Sequence, residues 1–444
     1  MFRYNLELAF RGLRGFPKST VLVVLTVALG LSACMTTLAL LHVLSADPLP
    51  GRSEHLYLAW VDTVLAKPTN YQSLNGVTQA NYRRIKLADA QALLSAHRAV
   101  RQAVVANMAA DEISADGKHA QRAQLILATS ADFVPMFGVA LRYGRNWTAA
   151  EDAAHAPVVL IDTELAQKLF GTVNAVGRRV RLRNTLFQVV GVIAPYAPQP
   201  HFYGLDSFIF SSDGGENLYL PYTAALDAGL SPRSADGCDA SYKTVSRLGW
   251  SDPAHCASLG FWVQLDTPQQ VAVYRSYLTH YVEQHKALSG FGKPATSQLF
   301  SVAQWLKLQH VVPDSVRLNA GLAGAFLLLC MLNVAGLLAA RFLHRSGETG
   351  IRRALGAPRR AVFQQYLLEA AAISMLGGVL ALPLTLLGLW ILRRQGSDFS
   401  GLARLDPLMF GGLFVMALLV GVLVGLLPAW RASAVEPALQ VKSA

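Results

Sequence analysis

The residues of this 444-residue chain that could form a metal or redox site are four cysteines and eleven histidines. Cys238 and Cys256 enclose a polar segment rich in turn residues, which a disulfide would restrain in an oxidising compartment; two free thiols are the alternative. His255 lies beside Cys256, but no four-ligand spacing typical of zinc follows it. His280 and His285 lie five positions apart, off a common helix face, which favours an ordinary surface helix. The sequence therefore predicts a candidate disulfide and no metal site.

Motifs for nucleophilic catalysis or nucleotide binding are not found in the sequence. It has no nucleophile elbow, and no G-x-x-x-x-G-K-[ST] loop that would cradle phosphates. The segment SGFGKPATS, residues 289–297, comes nearest, but it lacks the first glycine of the spacing and is interpreted as a turn. We therefore predict no catalytic residue and no cofactor held by this chain.

A cluster of arginines stands out in the sequence. The segment RFLHRSGETGIRRALGAPRR, residues 341–360, carries six arginines and one acidic residue in a chain with only 15% charged residues. A soluble domain carries about 25% charged residues. The net charge of +11 could indicate a nucleic-acid partner, but the basic residues flank apolar runs instead of forming a soluble basic face. This pattern predicts a lipid bilayer around the chain, and no nucleic acid.

Four apolar segments are long enough to cross a membrane as helices. The predicted spans are residues 19–44, 316–340, 363–393 and 408–430. Between the first two lie residues 45–315, of ordinary globular composition and long enough for a substantial core. Residues 31–34 (LSAC) match a lipoprotein cleavage box, but the apolar run continues beyond them, which favours a retained first span.

Positive charge near membrane spans favours the cytoplasmic side. The basic residues 1–18 also have amphipathic spacing, which predicts a helix at the cytoplasmic membrane interface; a helix packed on protein is the alternative. The arginine-rich loop, residues 341–362, and the C-terminal tail, residues 431–444, are then cytoplasmic as well. Residues 45–315 and the short loop of residues 394–407 then lie on the opposite side of the membrane. The arginines near the short loop slightly weaken this assignment, because positive charge favours the cytoplasmic side.

The arginine-rich loop has the pattern of a short helix followed by a sharp turn. Ile351 and Leu355 share one helix face, and Gly356 is placed to end the helix. Pro358 suits the first turn of the helix that continues into the third span. A partner could press on such a projection and pass the force into the third span. From the pattern alone, an interaction site and a plain connector are equal alternatives.

The same region carries a motif of known transporters. It resembles the signature of the MacB/FtsX-type ABC transporter permeases, in which R-x-x-E-x-x-x-R-R-A-L-G-A follows the second span and Leu-Leu-Glu-Ala begins the third. The matching residues here are Arg345, Glu348, Gly350, Ile351, Arg352, Arg353, Ala354, Leu355, Gly356 and Ala357, and then residues 367–370. Residues 428–437 resemble the family's C-terminal end, and residues 129–193 resemble its MacB-type periplasmic core domain. At position 336 many relatives carry an asparagine, whereas this chain has Gly336. This departure from the family pattern puts only a local helix contact in doubt.

The resemblance implies both a fold and a mechanism. The fold class is a membrane protein with four transmembrane α-helices and a large α/β extracytoplasmic domain of two subdomains inserted between helices 1 and 2. The arginine-rich loop would contain the coupling helix that docks on a separate cytoplasmic ATP-binding subunit, and that subunit would bind ATP and Mg²⁺. The residues assigned to this contact are Arg345, Glu348, Gly350, Ile351, Arg352, Arg353, Leu355 and Gly356.

Further implications concern assembly and the transmission of motion. Four spans are half of a typical transporter, so a homodimer, or a heterodimer with a related permease, is expected in the bacterial inner membrane. A periplasmic adaptor and an outer-membrane channel are further candidate partners. Asn333 and Glu369, polar within or beside apolar helices, are interpreted as structural or coupling residues and not as a proton path. Gly377 and Gly378 are two of seven glycines in the last two spans that either permit close helix packing or face lipid.

The outer segment has the pattern of a mixed α/β domain. The runs APVVLI and FQVVGVI are predicted strands, and DTELAQKLFG is predicted to be a helix that ends at Gly171. The run GRRVRLRN is expected to pair with the second of these strands as a hairpin.

The expected function is export of peptides, antibiotics or other amphipathic compounds, powered by the separate ATPase. Three alternatives stay open: control of a cell-wall hydrolase by the same lever motion, release of lipoproteins from the inner membrane, and an ATP-independent membrane receptor. The sequence does not identify the cargo, and it does not distinguish a homodimer from a heterodimer.

Overall fold

The computed structural model describes most of the chain. The described residues are 17–63, 83–108, 112–115, 119–122, 125–205, 215–236, 238–239, 252–289, 296–345, 347, 350–351, 353, 356–394 and 407–434. They fall into two compact units. The globular unit comprises Ala46–Val311, and the helical unit comprises the described residues before and after it.

The four longest described helices belong to the helical unit, and the others belong to the globular unit. In chain order the helices are α1 (Pro17–Ser45), α2 (Leu87–Ser95), α3 (Phe133–Phe137), α4 (Ala149–Ala153), α5 (Thr163–Phe170), α6 (Tyr222–Asp227), α7 (Pro268–Ser289), α8 (Val302–Leu308), α9 (Asp314–His344), α10 (Arg359–Arg394) and α11 (Pro407–Ala434).

The strands of the globular unit form one mixed sheet. They are β1 (Leu56–Val61), β2 (Arg101–Met108), β3 (Glu112–Ala115), β4 (His119–Arg122), β5 (Ile126–Thr129), β6 (Leu141–Gly144), β7 (Val158–Asp162), β8 (Arg179–Leu182), β9 (Thr185–Ile193), β10 (Leu218–Pro221), β11 (Gly260–Gln264) and β12 (Ser297–Ser301). The order across the sheet is β12-β1-β11-β2-β5-β10-β7-β9-β8-β3-β4, with β6 also paired to β9. The pairs β5–β10 and β7–β9 are parallel, and the others are antiparallel.

The sheet has two parts that come from different stretches of the chain. Strands β1, β2, β11 and β12 lie together and come from the two ends of the globular unit. Strands β6 to β9 come from its middle and lie toward the other edge, beside the β3–β4 hairpin. This arrangement agrees with the expected two subdomains, although one continuous sheet joins them.

Both faces of the sheet are covered, which explains the long apolar runs in its central strands. Val104 and Ala106 of β2 belong to one hydrophobic core, while their neighbours Ala103 and Val105 belong to a second core on the opposite face. Alternate residues of a strand point to opposite faces, so a strand buried on both sides needs apolar residues at every position. The first core includes helices α2, α5 and α7, and the second includes the aromatic residues of α3 and α8.

The local predictions for the middle of the globular unit are confirmed. The run APVVLI supplies all of β7 except its last residue, Asp162. FQVVGVI lies within β9, and GRRVRLRN contains β8, which pairs with β9 as an antiparallel hairpin. Helix α5 begins after Asp162, whose side chain accepts a hydrogen bond from the Leu165 backbone, and ends at Gly171 with a φ of +68°. Only glycine adopts that left-handed conformation without a steric penalty.

The candidate cysteine pair lies between two ion pairs. Cys238 and Cys256 form a disulfide, with Cα atoms 3.9 Å apart. On one side the buried Arg84 contacts Asp236 at 2.7 Å, and on the other Lys86 contacts Asp239 at 3.3 Å. The disulfide and the ion pairs therefore join three stretches of the globular unit that are distant in sequence.

Helices α1, α9, α10 and α11 pack as a bundle and supply four candidate membrane spans. Helix α10 packs against α1 and α11, and α9 packs against the same two helices. The helices extend past the predicted spans: α9 continues to His344 and α10 begins at Arg359, so Arg341 belongs to a helix and not to the loop. Residues 1–16, with the predicted interfacial helix, and most of residues 394–407 and 431–444 lie outside the described residues.

Glycines bring the helices of the bundle into close contact. A Cβ atom added to the glycine would lie 2.6 Å from Val27 at Gly377, 2.8 Å from Ala417 at Gly378 and 2.5 Å from Ala370 at Gly425. Gly388 and Gly421 have similarly close neighbours, Thr36 and Ser374. Gly411 and Gly412 have open space around them within the described structure. Within the described structure, five of the seven glycines therefore pack against a neighbouring helix and two contact none.

The difference in surroundings between Gly425 and Gly411 allows a test with two glycine-to-alanine variants. Gly425→Ala places a methyl group against a neighbouring alanine that cannot turn away, and overpacking of this kind costs about 1–3 kcal/mol. Gly411→Ala meets no neighbour and gains helix propensity of up to about 1 kcal/mol. We expect Gly425→Ala to lower, and Gly411→Ala to maintain or raise, the thermal unfolding midpoint of the detergent-solubilised protein. Equal midpoints for the two variants would contradict this packing.

Candidate functional site

A buried carboxylate with two arginines lies at one end of the helical bundle. The side chain of Glu369 on α10 is 1% exposed. Its Oε1 atom lies 3.1 Å from Nη2 of Arg341, whose side chain is 2% exposed. Nη1 of Arg345 donates to both carboxylate oxygens at 3.4 Å. One negative charge therefore faces two positive charges inside the protein.

Helical spacing brings the two arginines to the same carboxylate. Arg341 lies in the last turn of α9 and Arg345 is four residues later, at the helix end, so both side chains project on one face. One turn before Glu369, the ring of Tyr366 packs against Phe342 of α9, with ring centroids 4.2 Å apart. This aromatic contact covers the cluster and holds α9 and α10 together beside it.

The cluster also contacts α1, and a separate contact joins the connecting segment to α11. Nη1 of Arg341 donates to the Thr20 hydroxyl on α1 at 3.0 Å. Nη1 of Arg353, in the segment between α9 and α10, donates to the backbone carbonyl of Ser433 on α11 at 3.3 Å. Polar contacts therefore connect α1, α9, α10, α11 and the connecting segment at this end of the bundle.

The connecting segment has the short helix that the sequence predicts, in the residues that the structure describes. Gly347, Gly350, Ile351 and Arg353 have helical backbone conformation. Gly350 is buried, whereas the Ile351 side chain is 59% exposed. Gly356 has a φ of +100° and donates its N–H to the Arg353 carbonyl at 3.1 Å, which ends the helix two residues before Pro358.

Three predicted contact residues, Glu348, Arg352 and Leu355, lie outside the described residues, and their roles stay predictions. Of the four predicted transmission residues, Glu369 is at the centre of the cluster, and Gly377 and Gly378 lie further along α10, against α1 and α11. Asn333 is exposed on the outer surface of α9 and does not join them.

Arg341 and Thr20 are members of the cluster that sequence reasoning missed. The apolar run ends at residue 340, and this boundary alone places Arg341 in the loop. Its spacing of four residues from Arg345 is the signal that could have found it, since residues i and i+4 share a helix face. No local pattern marks Thr20, because its contact depends on how α1 packs against α9.

The cluster is suited to fixing helices and not to moving protons. Arginine stays protonated in proteins, so neither guanidinium can exchange a proton with Glu369 at ordinary pH. Removing one partner of a buried ion pair leaves an uncompensated charge and costs about 3–5 kcal/mol. The arrangement therefore resists any change that would separate the ends of α9 and α10.

The other candidate residues form no second site. Within the described ranges, no group of three or more histidine, cysteine or acidic side chains is placed to hold a metal ion. Nδ1 of His280 contacts the Ser276 carbonyl at 2.7 Å, and Nδ1 of His285 contacts the Tyr281 carbonyl at 3.0 Å, so both rings bond to their own helix.

The cluster predicts a large effect of Glu369→Ala. This substitution leaves Arg341 and Arg345 facing each other inside the bundle, so we expect a loss of about 3–5 kcal/mol in the free energy of unfolding, measured by denaturant titration in detergent micelles. Glu283→Ala, which removes an exposed glutamate from α7, is the control and should change stability by less than about 0.5 kcal/mol. A similar small effect for both variants would show that the buried pair is not structural.

Comparisons with known proteins agree with this architecture. A family model described as the MacB-like periplasmic core domain matches residues 20–281, and one described as the FtsX-like permease C-terminal domain matches residues 320–437. The pyoverdine export ATP-binding/permease protein PvdT of Pseudomonas entomophila is 25% identical over 310 residues, covering 69% of this chain and 41% of that protein. The macrolide export ATP-binding/permease protein MacB of Wolinella succinogenes is 23% identical over 317 residues, covering 71% and 43%.

A solved structure, the periplasmic region of MacB from Actinobacillus actinomycetemcomitans, aligns with a TM-score of 0.35 at 15% identity, covering 57% of this chain and 91% of that one. The chain spans about two fifths of the length of the curated relatives it matches. From the two family models and the four helices that flank the globular unit, the chain belongs to the MacB/FtsX family of ABC transporter permeases, as a multi-pass membrane protein with a MacB-like periplasmic core domain and an FtsX-like permease domain.

Proposed function

We propose that this chain is a permease subunit that transmits ATP-driven motion from a separate cytoplasmic ATP-binding subunit to its periplasmic domain. The observation that carries the proposal is the connection of all four membrane helices, through the Glu369 cluster and Arg353, to a short segment that exposes an apolar side chain, Ile351. In the proposed topology the bacterial inner membrane surrounds the bundle, both termini and this segment are cytoplasmic, and the globular unit is periplasmic.

The contacts around the segment support a mechanical role. Arg345 precedes the segment and bonds to Glu369 on α10, while Arg353 within the segment bonds to Ser433 on α11. A partner that binds Ile351 and moves the segment would therefore pull on two different helices. The buried charges resist separation, so the helix ends would move together instead of coming apart.

Nucleotide binding is assigned to the partner because the chain has no phosphate-binding loop of its own. The matched relatives are named ATP-binding/permease proteins, and this chain spans only about two fifths of their length. ATP and Mg²⁺ would bind to the separate subunit, whose contact with the permease is proposed to include Ile351, Arg353 and the predicted residues Glu348, Arg352 and Leu355.

A second permease subunit, identical or related, is proposed to cover part of α9. Much of this helix is exposed in the single chain, and its exposed surface includes Asn333 among leucines such as Leu329 and Leu332. A polar amide inside a membrane usually faces protein, which favours a partner helix at this position.

The proposed cargo is a peptide, an antibiotic or another amphipathic compound, exported with the help of a periplasmic adaptor and an outer-membrane channel. Its support is the names of two relatives, which export pyoverdine and macrolides.

A pull-down with Ile351 variants tests the proposed coupling. The tagged protein would be purified in mild detergent from its own cells, and ATPase activity would be measured in the eluate. We expect Ile351→Glu to lower the co-purified ATPase activity at least tenfold, because a charge would be buried in an apolar contact. Ile351→Leu, which keeps the apolar surface, is the matched control and should retain the activity.

Two outcomes would overturn the coupling proposal. Either no ATPase co-purifies with the unmodified chain, or Ile351→Glu retains the same activity as Ile351→Leu. A cell-wall hydrolase or a lipoprotein in the eluate, in place of an adaptor, would redirect the proposal from export to one of those two processes.

The disulfide tests the proposed topology. If the globular unit is periplasmic, Cys238 and Cys256 should be oxidised in cells, because disulfides persist in that compartment and not in the cytosol. Thiols would be trapped in intact cells before lysis and counted by mass-tagged maleimide, with and without reduction. Reduction should expose two additional thiols in the unmodified chain and none in the Cys238→Ser variant, whose Cys256 thiol is already free before reduction. Free thiols at both positions before reduction would contradict the topology.

A further inference from the structure

A groove lies along the outer edge of the sheet in the globular unit, beside strand β12. It has a volume of about 600 Å³ and is open to solvent. Strand β12 is the last strand of the sheet on this side and pairs only with β1 among the described strands. Helix α7 packs on one face of the strand through the core around Leu299, and α8 packs on the other face beside Phe300. The strand edge therefore forms the floor of a groove with a helix on each side.

Among the described residues, the outward backbone groups of β12 have no strand partner and face this groove. The Asp62 N–H donates to the Thr296 carbonyl at 2.8 Å, so residues 296, 298 and 300 bond toward β1. In an antiparallel pair the alternate residues direct their N–H and C=O groups away from the partner. Those residues are Ser297, Leu299 and Ser301. The Ser301 N–H bonds to the Gln304 side chain at 3.1 Å, which leaves the groups of Ser297 and Leu299 facing the groove.

The ionisable side chains of the described residues that line the groove are all basic. Arg275 on α7, Lys307 on α8 and His310 just after α8 line it, and all three are exposed. No acidic side chain occurs among the described residues that line it. Two cations on opposite walls of a groove attract a negatively charged ligand, and this attraction is strengthened where the walls limit access of water.

We propose that this groove binds an extended, acidic segment of a partner protein, which adds to the sheet as a strand beside β12. Backbone bonds to Ser297 and Leu299 would align the segment, and acidic side chains would pair with Arg275 and Lys307. An exposed strand edge is a template for such pairing. The capped N–H of Ser301 limits the added strand to a few residues. This contact is separate from the ATPase contact proposed above and does not depend on it.

Peptide binding to the full chain in nanodiscs of neutral lipid tests the proposal. The probe is a fluorescein-labelled octapeptide of alternating aspartate with threonine or valine, followed by fluorescence anisotropy. Two further peptides are compared with it: one with lysine in place of every aspartate, and one with the acidic sequence but N-methylated at every backbone amide, so that neither edge of the peptide can donate hydrogen bonds. We expect binding of the acidic peptide alone, because the lysine peptide is repelled and the methylated peptide cannot pair with the strand edge.

Charge-reversal variants test whether the acidic peptide binds in this groove. Arg275→Glu combined with Lys307→Glu should weaken binding of the acidic peptide at least tenfold. Arg178→Glu combined with Arg179→Glu changes the charge equally at exposed positions outside the groove and should weaken it less than twofold. Ser297→Pro removes one outward N–H at the first residue of an edge strand, where proline is tolerated, and should also weaken binding.

Three results would overturn the proposal. Equal binding of the N-methylated peptide would mean that the strand edge is not used. Equal weakening by the two double variants would mean that only net charge matters. Displacement of the peptide by phosphatidylglycerol vesicles, together with no effect of N-methylation, would identify a cationic surface for lipid headgroups instead. The methylation comparison uses the unmodified protein, so it does not depend on the folding of any variant.

Discussion

The buried carboxylate of Glu369 is the interaction on which the arrangement of the membrane helices depends. A charge inside a helical bundle is tolerated only with close counter-charges, and here two arginines of one helix provide them at 3.1 and 3.4 Å. Because Arg341 also bonds to α1, the cluster fixes three helices at one point. Electrostatic attraction therefore fixes the position of the end of α9 relative to α10. Aliphatic contacts alone would allow the two helices to slide past each other.

Away from this cluster the bundle is held by close packing. Lipid tails are as apolar as leucine side chains, so helices in a membrane gain little from burial itself and depend on tight contact. Gly377, Gly378 and Gly425 allow that contact, since each lies against a neighbouring helix where a methyl group would collide. Polar contacts at one end and small residues along the length make the bundle a stiff unit, which suits an element that passes on a displacement.

The globular unit is stabilised in a different way. Its sheet separates two hydrophobic cores, and the disulfide with the ion pairs of Arg84 and Lys86 joins stretches that the sheet does not pair directly. At the edge strand β12, the flanking helices leave the outward backbone groups uncovered by the part of the chain that the structure describes. A strand edge whose outward backbone groups face a groove is suited to binding an extended segment.

The amino-acid sequence was sufficient to predict the four spans, the inserted α/β domain, the hairpin of β8 and β9 and the end of the short helix at Gly356. These features depend on local pattern: apolar length, alternation and glycine at a turn. Three features became visible only in the folded chain: Arg341 belongs to the Glu369 cluster, Gly425 packs against a neighbouring helix whereas Gly411 has no described neighbour, and β12 is an edge strand. The physical reason is that helix neighbours and strand order are set by contacts between residues far apart in the chain, which no local spacing encodes.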